Sequence, residues 1–143
     1  MIGVENEQMD IKLTIPGTPV SKGRPRIGKW GTYTPEKTVN YENLVKYCYV
    51  EQGEGKKLEG PLRMDVGFFF PIPKSYSKKQ VELIKAQGMA HIKKPDASNC
   101  LKSIEDGLNK LAYDDDSQIV ELRLTKKYTL EEPRAEVKIT EVM

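Results

Sequence analysis

Between Leu62 and Phe70 every second residue is apolar: Leu62, Met64, Val66, Phe68 and Phe70. A period of two predicts a strand with one buried face, and Pro71 and Pro73 stop it. Such a strand needs partners at its edges and a second layer over its apolar face. The chain supplies both. Ile11, Leu13 and Ile15 alternate with Lys12 and Thr14 in a first strand ending at Pro16, while Ile119–Tyr128 and Ala135–Val142 read as two closing strands joined as a hairpin. Helical spacing runs from Pro35 to about Gln52 through Val39, Leu44, Val45 and Cys48, until Gly53–Gly60 breaks it. Ser77 opens a second helix, with Gln80 completing a capping box, Val81 and Ile84 inward and Gly88 as its stop. A third, from about Ser98 to Lys110, carries Leu101, Ile104, Leu108 and Leu111 as its apolar stripe. The expected fold is one α+β domain over residues 11–143, a small mixed four-stranded sheet packed with about three helices. Residues 1–10 are polar and acidic and are expected to be flexible.

Six carboxylates gather within a short stretch around the third helix: Asp96 before it, Glu105 and Asp106 on it, and Asp114, Asp115 and Asp116 after it. Clustered acids repel one another unless a cation neutralises them. Oxygen-only ligands suit Mg²⁺ or Mn²⁺, which bind through one or two carboxylates plus waters and phosphate oxygens. The bland reading is a solvated helix face followed by an Asp-rich turn.

The order P-D-x-x-N-x-x-K from Pro95 to Lys102, an acid on the same helix, and D-D-x-Q at Asp115–Gln118 before an apolar strand resembles the RusA family of Holliday junction resolvases. Lys22-Gly23-Arg24-Pro25-Arg26 and Tyr33-Thr34-Pro35 extend the likeness upstream, and a closing strand near Ala135–Thr140 extends it downstream. The resemblance implies a small, homodimeric, Mg²⁺-dependent endonuclease, often carried by phages and prophages, that cuts paired strands at four-way DNA junctions in recombination and repair. It makes Asp96 and Asp116 metal ligands, with Asp115 beside them, and gives Lys102 a catalytic role on the scissile phosphate or the attacking water. Without it, Lys102 reads equally as the partner of Asp106 one turn on.

One position departs from the family's P-D-x-D-N pattern: Ser98 stands where a second Asp is usual. Glu105 shares the helix face of Ser98, within ~20° around the axis, and its side chain leans toward the helix N-terminus. Glu105 is therefore expected to replace the missing carboxylate as a metal ligand and catalytic group. Ser98 itself reads as a helix cap.

A net charge of +2 does not argue for nucleic acid, but its distribution does. Lys22, Arg24, Arg26, Lys29 and Lys37 face one acid, Glu36, with Trp30 and Tyr33 interleaved and glycines keeping the loop mobile. Lys22, Arg24, Arg26 and Lys29 are candidate DNA contacts, with Lys93 and Lys94 beside a surface His91. Cys48 and Cys100 are expected to stay reduced, and one histidine cannot build a zinc site. No apolar run is long enough for a membrane span, and nothing marks a signal peptide, so a cytoplasmic location is expected. Two other functions fit the residues: a junction-binding protein that has lost catalysis through Ser98, and a Mg²⁺-dependent hydrolase of nucleotides. No Walker-type loop supports the latter.

Overall fold

The computed structural model describes residues 9–142. Residues 1–8 of the segment expected to be flexible therefore lie outside the described part, and Asp10 already begins a strand. Four strands form the main sheet: β1 (Asp10–Pro16), β4 (Leu62–Pro71), β5 (Ile119–Thr129) and β6 (Arg134–Glu141), in the order β1-β6-β4-β5. A separate pair, β2 (Arg26–Gly28) and β3 (Gly31–Tyr33), forms a small hairpin. The helices are α1 (Glu36–Gln52), α2 (Lys78–Ala86) and α3 (Ala97–Leu108). The α+β expectation holds.

β4 lies inside the sheet, parallel to β5 and antiparallel to β6. The expected β5–β6 hairpin does not form, because β4 separates the two strands. Its inward residues, Leu62 to Phe70, are all buried, so a central place removes more apolar surface from water than an edge would. One row across the sheet runs Leu13, Val137, Val66, Leu124. α1 and α3 cover this face and pack on each other.

Their approach is set by Gly107. A Cβ there would stand 2.7 Å from both Cβ and Cγ1 of Val45 and 3.1 Å from the Glu42 carbonyl. The inward face of α1 is Thr38, Tyr41, Val45, Cys48 and Tyr49, whereas Val39 points outward. α2 begins as expected: Ser77 accepts from the Gln80 amide at 3.2 Å and the Gln80 side chain accepts from the Ser77 amide at 2.7 Å. Cys48 and Cys100 are buried free thiols. No helix among the described residues is long and apolar enough to cross a membrane.

Candidate active site

Asp96 is the N-cap of α3. Its carboxylate accepts from the Asn99 amide at 2.8 Å, from Ser98 Oγ at 3.3 Å and from Asn99 Nδ2 at 3.4 Å. Ser98, read from sequence as the helix cap, is not one: Asp96 takes that place one residue before the helix starts, and Ser98 only donates to it. The segment leading to Asp96 is clamped from β5, where Lys126 Nζ donates to the Lys93 carbonyl at 2.5 Å and the Pro95 carbonyl at 2.6 Å. Lys126 is the residue that anchors Asp96 to the sheet.

The other acids stand past the far end of α3. Asp115 caps the short 3-10 turn Asp116–Gln118, accepting from the Ser117 amide at 3.0 Å. Gln118 Oε1 accepts from the amides of Asp114 and Asp115, at 2.9 and 3.0 Å, while its Nε2 donates to the Gly60 carbonyl at 3.0 Å. The glutamine of the D-D-x-Q motif therefore holds the acidic turn in shape, a role the motif alone did not reveal. Asp114 pairs with Lys57 at 2.7 Å, which fits the turn reading.

Glu105 belongs to this second group. Burial raises its carboxyl above the usual range, the Asp116 charge pushes the same way, and Lys102 only partly offsets them. Beneath the group lies the fully buried Tyr113, whose hydroxyl is raised first by burial and then by Glu105, Asp116, Asp106 and Asp115. The structure thus brings Glu105 together with Asp116 and not with Asp96, from which about 13 Å of helix axis divides it. As metal ligands of one site, Asp96 and Asp116 would have to meet. Instead α3 carries the chain from beside Lys126 back toward the start of β5, so Asp96 and Asp116 lie at its opposite ends. Among the described residues no three acidic, histidine or cysteine side chains stand together as a ready ligand set.

The lysines divide likewise. Lys22 Nζ bridges Glu42 at 2.7 Å and Asp106 at 2.8 Å, tying the segment after β1 to α1 and α3. Burial works against its charge, but the two carboxylates outweigh burial and raise its pKa. Its charge is spent within the chain, and Asp106 is the partner of Lys22 and not of Lys102. Lys102, Lys93 and Lys94 are exposed, as are Arg24, Arg26 and Lys29. The loop read as mobile holds the β2–β3 hairpin, with Lys29 Nζ 5.4 Å from the centre of the Trp30 ring, and Ile27 and Trp30 are 87% and 92% exposed. His91, expected on the surface, is buried, stacked on Phe70 at 4.1 Å with Tyr128 edge-on at 4.7 Å.

The chain belongs to the RusA family of endodeoxyribonucleases: residues 16–140 match its family model. The chain is 34% identical over 130 residues to the crossover junction endodeoxyribonuclease RusA of Lactococcus phage r1t, covering 90% of this chain and 92% of the phage protein. It is 40% identical over 138 residues to the uncharacterised protein YqaN of Bacillus subtilis strain 168, covering 92% of this chain and 96% of that one.

Proposed function

We propose that the protein is a Mg²⁺-dependent endonuclease that resolves four-way DNA junctions in recombination and repair, acting as a two-fold dimer whose sites are shared between subunits. The observation that carries this reading is the exposure of Asp96 and Asp116 at opposite ends of α3 in a chain of the RusA family. Asp106 and Asp114 have lysine partners; Asp96, Glu105 and Asp116 have no salt bridge among the described residues. Oxygen-only carboxylates left uncompensated fit Mg²⁺, with Mn²⁺ as a substitute. Asp96, Asp116, Glu105 and Asp115 are the residues that would hold it, and the ion would supply an activated water and neutralise charge on the attacked phosphate.

The dimer surface follows from the edge of β5. The strand Leu62–Phe70 is central and unavailable for edge pairing. Met89–His91 bonds the far part of the β5 edge, through the His91 amide to the Lys126 carbonyl and the Tyr128 amide to the Met89 carbonyl. Ile119–Thr125 has no edge partner among the described residues. An open edge of this kind invites a second strand. Val120 and Leu122 on it are 61% and 47% exposed, and Ile92 beside it is 79% exposed.

Leu122 is the midpoint of that free stretch. A two-fold axis there makes an antiparallel β5–β5 pair in which Glu121 opposes Arg123, Val120 opposes Leu124 and Leu122 meets its own copy. These three pairings are complementary, as an isologous contact requires. The same axis sets the Lys126 end of one subunit against the start of β5 in the other. Asp96 of one subunit then stands beside the partner subunit's Asp116 and Glu105.

Lys102, exposed between the two acidic groups, binds the scissile phosphate, and the α3 N-terminus adds its partial positive charge. Arg24, Arg26 and Lys29 on and beside the β2–β3 hairpin, with Lys93 and Lys94, hold the DNA backbone. Trp30 and Tyr33 offer rings for an unpaired base. Lys22 supports this surface from within. The test incubates wild type and Asp96→Asn with a synthetic four-way junction and a matched duplex, with Mg²⁺ and with EDTA. Paired Mg²⁺-dependent nicks near the branch, absent in the variant, are expected. Binding without incision would instead identify a junction-binding protein disabled at Ser98, and cleavage of nucleotides alone a small-substrate hydrolase.

A further inference from the structure

Next to Asp96, a groove of about 590 Å³ runs between the base of the β2–β3 hairpin, the start of α1 and the loop from His91 to Pro95. Its cations are Arg26, Lys37, Lys93 and Lys94, and no carboxylate lines it. Its floor is aromatic: Phe70, Tyr76, His91 and Tyr128 line it together, with the Tyr76 and Tyr128 rings edge-on at 6.5 Å. Lys94 and Pro95 belong both to this groove and to the smaller hollow that holds Asp96 and Asn99, so the two are continuous. A polar atom also lies buried within the floor. Nδ1 of the 7%-exposed His91 is buried without a hydrogen-bond partner among the described residues. Such an orphan costs free energy unless a ligand or a rearranged neighbour satisfies it.

We infer that this groove binds an unpaired nucleotide of the DNA strand whose phosphate lies at Asp96. The inference rests on the junction-cleaving reading and goes beyond it by assigning a place to a base. Four cations with no acid select a polyanion, and a ring-lined floor in their midst selects a flat π-surface. The volume lies in the range of sites that enclose small ligands. A paired base cannot reach such a floor, because its faces are stacked in the duplex. A base at a branch point is the cheapest to unstack, so the groove selects branched over linear DNA. Tyr76 is the half-buried ring beside Tyr128 that a base would meet.

The experiment places 2-aminopurine at single positions on either side of the branch of a four-way junction, and separately in a six-nucleotide thymidine strand, with EDTA present to block cleavage. Wild type is expected to change the fluorescence of one position per bound strand and of the short strand. Tyr76→Leu, which keeps an apolar contact to Tyr128, is expected to lose the junction signal and to bind the short strand about tenfold more weakly. Tyr76→Phe keeps the ring and is expected to keep both. Circular dichroism melts show that each variant is folded. Two results overturn the inference: a retarded junction with no responding position, or wild-type affinity and signal in Tyr76→Leu. A short strand that binds through Tyr76 in a protein that never nicks a junction overturns the resolvase reading and leaves the groove assignment standing.

Discussion

If Asp96 and Asp116 act from different subunits, two dead proteins mixed together will cut DNA. Asp96→Asn and Asp116→Asn are each expected to be inactive as homodimers, since every site lacks one acid. In a mixed dimer, Asp96 of the second protein faces Asp116 of the first, and one of the two sites is whole. Random reassociation makes about half the dimers mixed, each with one working site, so about a quarter of the wild-type nicking capacity returns. The product is a singly nicked junction and not a resolved one. The structural basis is the ~13 Å of helix axis between Asp96 and the Glu105–Asp116 group, more than one metal ion spans. The assay unfolds the pair together in denaturant, dialyses them, and scores nicked junctions on a denaturing gel. Acids that meet within one chain leave every mixed site damaged, so activity no higher than in either parent refutes the reasoning. Leu122→Lys is the control on the surface. It sets like charges face to face at the axis and removes apolar burial of about 1–2 kcal/mol per chain, raising the dimer dissociation constant by roughly 30- to 1,000-fold. Placed in both partners, it is expected to abolish the complementation.

Ionised Glu105 weakens the metal-free fold at neutral pH, because burial and then Asp116 raise its carboxyl; that penalty fades as pH falls toward the ordinary value of 4.5. Glu105→Gln should therefore melt above wild type at pH 7 in EDTA, converge with it near that value, and gain less from added Mg²⁺; a lower melting temperature at pH 7 contradicts the assignment. Lys22→Ala leaves the carboxylates of Glu42 and Asp106 unpaired and is expected to cost about 1–2 kcal/mol in urea unfolding, where a lysine serving only DNA would cost nothing. Gly107→Ala forces a methyl group into Val45 and should destabilise the protein by about 1–3 kcal/mol by the same measurement, with no change in the metal requirement of the residual activity.

The helices and the strands of the main sheet were legible because their signals are local; the short β2–β3 hairpin was read as a loop. The alternation from Leu62 to Phe70, the Ser77–Gln80 box and the stripe on α3 each depend on neighbours a few residues apart, and each element lies within a residue or two of its expected bounds. Strand order was not legible. Ile119–Tyr128 and Ala135–Val142 look like a hairpin because a short connection joins them, yet the ten-residue β4 takes the place between. His91 misled in the same way: lysines follow it in sequence, while the rings that bury it, Phe70 and Tyr128, come from β4 and β5.

The site shows why a motif names its residues better than it arranges them. The family resemblance proposes Asp96, Lys102 and Asp115-Asp116, but order along a chain does not say which way a helix runs over a sheet. That direction comes from Lys126, whose two hydrogen bonds hold the start of α3 at the far end of β5. Once the start is pinned there, the turn held by Gln118 must lie at the opposite end, and Glu105 falls in with Asp116 however well its helix phase matches Ser98. The departure at Ser98 then carries a different meaning. Within one chain, Glu105 is too far along α3 to replace a ligand beside Asp96. Across the proposed β5–β5 axis it would come from the other subunit together with that subunit's Asp116, where its helix phase in its own chain would no longer decide what it faces. If the proposed β5–β5 pairing holds, a carboxylate lost from the first turn of α3 is made good only while the strand edge stays paired, and the chemistry would depend on the dimer.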